Sequence, residues 1–82
     1  MSTDAAIQSA DAAEARALCS KLSPRQRQVL ILAAKGYSAK ETGALVGISQ
    51  KTVDAYRSSV FNRLGVGRSI LAAVIAAKAG LV

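Results

Sequence analysis

Helix-starting and helix-stopping signals recur along this chain at intervals too short for any long element, and they bound its fold more tightly than any other feature. Ser23-Pro24-Arg25-Gln26 places an N-cap serine before a proline at the first helical position, with a glutamine three residues after the cap. Val29, Leu30, Leu32 and Ala33 follow as an apolar face, and Gly36 stops the run, predicting a helix over 24–35. Ser38-Ala39-Lys40-Glu41 repeats the capping box and predicts a shorter helix over 39–46, ending at Gly47. Ser49 then caps a helix over 50–64 that stops at Gly65, and a last helix runs over 68–79 to Gly80. Nothing alternates with a period of two, so strands are not expected. The expectation is an all-α domain.

Residues 1–21 differ from the rest. They are rich in Ala, Ser and Asp, with Ile7 and Leu18 as the only large aliphatics. They read either as a flexible arm or as an extra helix that docks on a partner, and the composition shifts near Lys21. The expected division is therefore 1–21 and 22–82. Charge shifts at the same place. The net charge is +6, but residues 1–20 hold Asp4, Asp11 and Glu14 against Arg16, a net of −2. Residues 21–82 hold ten Lys and Arg against Glu41 and Asp54, a net of +8. That excess on a small module attracts polyanions, above all phosphate backbones.

Several function classes lose their chemistry. There is no histidine, the commonest general base and metal ligand, and the five carboxylates are not clustered. One cysteine, Cys19, makes neither an internal disulfide nor a cysteine zinc site, and it reads as a small packed side chain. An enzyme, a cofactor or a metal is not expected. The acidic start MSTDAAIQSA has no apolar signal core, and the longest apolar run, Ile70–Ala77, is far short of the ~20 residues of a membrane helix. The expectation is a cytoplasmic protein with no membrane contact. An 82-residue domain buries only ~60–65% of its unfolded surface, so self-association would add to a thin stability margin.

The helices over 39–46 and 50–64, joined by Gly47-Ile48-Ser49, form a helix-turn-helix in which glycine permits the reversal and Ile48 anchors it. At 100° per residue, Val53, Tyr56, Val60 and Leu64 share one face of the second helix. Lys51, Asp54, Ala55, Ser58 and Asn62 share the other. That small, polar face suits close approach to a major groove. Asp54 and Ser58 lie one turn apart and reach base edges, and Ala55 suits a thymine methyl. Asp54 has a second reading, as an acid complementing the helix dipole or pairing with Arg57 or Ser58. Ser49, Lys51, Thr52 and the first free amides suit phosphate oxygens, with Lys40 and Arg57 as further candidates.

The runs Leu22-Ser23-Pro24-Arg25-Gln26-Arg27-Gln28-Val29-Leu30, Gly36-Tyr37-Ser38-Ala39-Lys40-Glu41, Gly47-Ile48-Ser49-Gln50-Lys51-Thr52-Val53 and Arg63-Leu64-Gly65-Val66 together resemble the LuxR-type (NarL/FixJ-type) DNA-binding domain over about three quarters of the chain. The resemblance implies a four-helix domain of transcriptional regulators whose third helix reads the major groove and whose fourth often forms a symmetric dimer. On that pattern Lys51 and Thr52 face phosphate, and Asp54, Ala55 and Ser58 face bases. Gln26 and Gln28 stand where the family has glutamates, Tyr56 where histidine is common, and Val46 where leucine is usual. Thr42 and Gly43 replace the favoured isoleucine and alanine, so the helix over 39–46 is expected to pack less tightly. With only about 21 residues ahead of the module, it resembles the small stand-alone members, or else an excised C-terminal domain.

On the last helix, Ile70, Val74, Ala77 and Leu81 fall on one face, read as the one that closes the core. Leu71, Ile75 and Lys78 form a second stripe, surplus in a monomer, which reads as a homodimer surface; the alternative is one broad buried face. Leu71 falls where the family often carries an acid. The expected function is sequence-specific binding of double-stranded DNA by a homodimeric transcription regulator. The alternative is an adapter that keeps the fold but contacts RNA polymerase or another regulator.

Overall fold

The computed structural model describes the backbone of residues 3–82 and side chains from residue 12 onward. The side chains of Asp4, Ile7 and Asp11 lie outside the described residues. Five helices follow one another: α1 (Thr3–Ser20), α2 (Pro24–Ala34), α3 (Ala39–Val46), α4 (Gln50–Leu64) and α5 (Ser69–Lys78). The capping chemistry sets these limits. Ser23 Oγ accepts from the Gln26 amide at 3.1 Å while the Ser23 amide donates to Gln26 Oε1 at 2.8 Å. Ser38 and Glu41 close the same pair of bonds at the start of α3, at 3.0 and 2.8 Å. Each box satisfies donors that the first turn of a helix leaves without partners.

The core is built where α2, α4 and α5 meet. Val29 and Leu30 of α2, Val53, Val60 and Leu64 of α4, and Ala72 and Ala76 of α5 are buried. Residues 3–20 form a helix, and the C-terminal part of α1 packs on this chain's own α5. Ala15, Cys19 and Leu22 are buried there, and burial pushes the Cys19 thiol pKa up against the opposing pull of Arg27.

Helix α5 corrects the wheel reading. Its buried face is Ala72 and Ala76, flanked by half-buried Ile75 and Ala79. Ile70 and Val74, expected inside, are 68% and 44% exposed, and Ala77 is exposed as well. The physical reason is that α5 is apolar on nearly every side, so periodicity had no polar face to set against the core. α5 packs mainly on α2, and small side chains are what a close helix–helix contact admits.

Helix α3 also departs from expectation. Thr42 and Gly43 are buried, and together they bring α3 close to the turn. A Cβ at position 43 would lie 2.5 Å from the Ile48 carbonyl oxygen. The Gly43 carbonyl accepts from the amides of both Gly47 and Ile48, at 2.9 and 3.0 Å, with Gly47 in the left-handed region at φ 77°. The Thr42 hydroxyl is buried without a hydrogen-bond partner. Thr42→Val should therefore raise Tm by about 4–8 °C, the shift expected when an orphan polar atom worth about 1 kcal/mol is removed. Gly43→Ala gains about 1 kcal/mol of helix propensity but costs about 1–3 kcal/mol in overpacking against backbone, so its Tm should fall. Thermal melts by circular dichroism check both.

The two capping boxes differ in pH response. The Ser38 amide, and then the Ser38 side chain, hold the Glu41 carboxyl pKa below its ordinary value. Its folded value lies under the unfolded one. The stabilisation is therefore complete above the unfolded value and is lost as pH falls through the folded one. Gln26, in the corresponding place on α2, does not titrate. Glu41→Gln is expected to flatten the acid limb of a stability–pH curve measured by urea unfolding.

Candidate nucleic-acid interface

The α3–turn–α4 unit positions the candidate residues. α4 starts at Ser49, whose Oγ accepts from the Thr52 amide at 3.1 Å and pairs with the Thr52 hydroxyl at 2.9 Å. The amides of Gln50 and Lys51, in the first turn, have no intrahelical acceptor and face outward with the positive end of the helix dipole. Val53, Val60 and Leu64 anchor α4 to the core. That leaves Lys51, Thr52, Asp54, Ala55, Ser58 and Asn62 exposed along the opposite side. Lys40, at the start of α3, and Ser49, which caps α4, are exposed as well. The face is slim, because nothing on it is larger than a lysine stem and its centre is Ala55 and Ser58.

Asp54 lies beyond the first turn of α4, which carries no acid, so complementing the helix dipole is not its role. Arg57 does not pair with it either. The Arg57 guanidinium is half-buried and its Nη2 donates to the Tyr37 carbonyl at 2.7 Å. Arg57 thus ties the α2–α3 connection to α4, and its Nε is buried without a partner. Of the five residues expected to face phosphate, Lys40, at the start of α3, and Ser49, Lys51 and Thr52, at the start of α4, are exposed, while Arg57 is committed to the fold.

Three further contacts aim α4. Gln26 is buried and its Nε2 donates to Ser59 Oγ at 2.7 Å, joining α2 to the middle of α4. Arg25 Nη1 reaches the Val46 carbonyl at 3.3 Å, and Arg63 Nη1 reaches the Lys21 carbonyl at 3.3 Å. The capping role of Gln26 was readable from its place after Ser23. Its second bond, across 33 positions, was not.

Two hollows flank the unit. One, of about 480 Å³, lies between the start of α2 and α4 and is lined by Ser23, Gln26, Thr52, Ala55, Tyr56, Ser59 and Arg63. It opens beside the slim face and its lining holds hydroxyls and a cation but no carboxylate. The other, also about 480 Å³, is an apolar groove between α2 and α3 with Ile31, Leu32, Tyr37 and a largely exposed Leu45 in its walls. Among the described residues no group of three or more His, Cys, Asp or Glu comes together. Among them, too, no single helix is long and apolar enough to cross a membrane.

The comparisons with known proteins agree with this architecture. The family described as bacterial regulatory proteins, luxR family, matches residues 20–77, and the chain belongs to that family. Over 49 residues, 60% of the chain, it is 41% identical to the transcriptional regulatory protein TdiR of Thauera aromatica. Over the same length it is 39% identical to the transcriptional regulatory protein UhpA of Escherichia coli K12. These matches span 22% and 25% of the relatives' own lengths, so the resemblance concerns one module of each. Helix α1 lies almost wholly ahead of the matched residues.

Because Gln26 is both a cap and a strut, Gln26→Ala should cost about 1–3 kcal/mol in urea unfolding. The exposed neighbour Gln28, changed to Ala, should stay within about 0.5 kcal/mol.

Proposed function

We propose that this chain is a DNA-binding transcription regulator in which α4 lies in the major groove. In this reading Asp54, Ala55 and Ser58 face base edges, and Lys40, Ser49, Lys51 and Thr52 face phosphates. The observation that carries it is the division of α4 into a buried aliphatic side and an exposed slim polar side, within a strongly basic module. The hollow beside Thr52 and Ala55 adds Tyr56 and Arg63 as candidates for a further backbone phosphate. Arg57 supports the face by holding the α2–α3 connection in place. The sequence has no histidine to serve as a base, and in this reading the activity is binding. The chain acts without a cofactor and in the cytoplasm.

The reading keeps 22–82 as the DNA-binding module and 1–21 as an accessory segment, with activity set by abundance or by a partner protein that binds 1–21. It includes a homodimer through α5, so that two copies read half-sites ~34 Å apart. Leu71 and Lys78 of the expected surface are exposed, while Ile75 is half-buried in the core, and the open apolar strip is Ile70, Leu71 and Val74. A second reading, an adapter that contacts RNA polymerase or another regulator, draws support from the apolar α2–α3 groove and its exposed Leu45.

Fluorescence anisotropy against salt concentration separates the two. Lys51→Ala should weaken binding to every duplex alike and reduce the log–log salt slope by about 0.9, the loss of one phosphate contact. Asp54→Ala and Ser58→Arg should change which duplexes are preferred while leaving non-specific affinity nearly as it was. DNA affinity unchanged by all three substitutions would favour the adapter.

A further inference from the structure

Helix α5 carries one outward apolar band that the fold divides in two. Its N-terminal half is open: Ile70 is 68% exposed, Leu71 47% and Val74 44%. Its C-terminal half is covered by α1. Ala15 and Cys19 of α1 are buried, and Leu18 packs against the same core cluster as Ile75, Ala79 and Leu81. Along the edge of this seam runs an open hollow of about 210 Å³ lined by Glu14, Ala15, Leu18, Ile75 and Lys78. The side chains of α1 that are fully buried there are small. The covering element also lies almost wholly outside the residues matched by the family.

The two halves are continuous. Leu71, which is open, and Ile75, which packs against the core cluster with Leu18, lie four residues apart on one side of α5. From Ile70 to Val74 the strip is only about 6 Å long, roughly one turn, whereas the band to Lys78 is about 12 Å. One turn gives a second copy very little to grip. Two turns give a helix pair something closer to a usable seam.

We propose that α1 competes within the chain for the face of α5 that self-association uses, and that a second copy of the chain displaces it. This rests on the dimer reading given above and adds its regulation. With α1 docked, the chain offers a short strip and stays monomeric. On DNA with two half-sites the neighbouring copy takes the whole band and α1 comes off. Lys21 to Ser23 join α1 to α2, so the departure of α1 gives up the burial of Cys19 while Leu30, Val60 and Leu64 stay on the other side of the link.

The single cysteine reports the event, because Cys19 is buried only while α1 is docked. Ala15→Arg puts a large cation where a methyl is buried and should expel α1. We expect its Cys19 to react faster with iodoacetamide than in the parent chain. We also expect its self-association, measured by sedimentation equilibrium, to be about tenfold tighter, as when a competing state is removed from a pre-equilibrium. Leu18→Ala, a milder change, should move both readouts the same way by less, and it serves if Ala15→Arg does not fold. Leu71→Glu added to either variant should abolish the gain. A variant with a reactive Cys19 and an unchanged monomer–dimer equilibrium overturns the proposal. So does a parent dimer that depends on Leu71 while Cys19 stays protected, although the dimer reading then survives. Association untouched by Leu71→Glu, or absent in every variant, sinks the dimer reading and the competition together.

Discussion

Gly43 lies so close beneath the Ile48 carbonyl that no side chain fits between α3 and the turn, and the aim of α4 depends on that contact. The Gly43 carbonyl takes two amide donors from the turn, and Gly47 supplies the left-handed residue that lets the chain reverse. Once the turn is closed, Ser49 is placed to cap α4, and Val53 enters the core at the first opportunity. The buried stripe that follows fixes the rotation of α4 about its axis. That rotation decides which residues of α4 face outward. The struts from Gln26 to Ser59 and from Arg57 to Tyr37 then hold it against α2 and the α2–α3 connection.

Local chemistry made most of the helix limits readable in advance. Ser23, Ser38 and Ser49 each accept from the amide three positions on, so their effect is written in nearby residues. The exposed face of α4 was readable for a related reason. Val53, Val60 and Leu64 contrast sharply with Asp54, Ala55 and Ser58. Helix α5 offers no such contrast. Ile, Leu, Val and Ala surround it, and the choice of Ala72 and Ala76 as the buried pair was made by the approach of α2. The same limit explains Arg57, which periodicity placed beside the buried face with a side chain long enough to reach phosphate, and which the fold turns toward a carbonyl 20 positions away. Gly43 shows the opposite error. A missing methyl suggested looser packing, and it permits tighter packing.

The electrostatics and the packing point the same way. The module's positive excess lies in a domain whose outward α4 face has one carboxylate, Asp54, and whose adjoining hollow has none. A glutamine in place of an acid at position 26 keeps that hollow free of negative charge while preserving both the cap and the strut. Away from this face, the apolar surface is concentrated on α5 and in the α2–α3 groove. The basic slim face and the apolar surfaces therefore lie on separate parts of the domain.

The central claim is that the slim side of α4 meets base edges. A nuclear Overhauser measurement on a complex with a bound duplex tests it most directly. The account predicts contacts from the Ala55 methyl and Ser58 to major-groove base protons, with amide shifts strongest over residues 50–58. Shifts confined to α5 or to the groove around Leu45, with Ala55 and Ser58 unmoved, would contradict it.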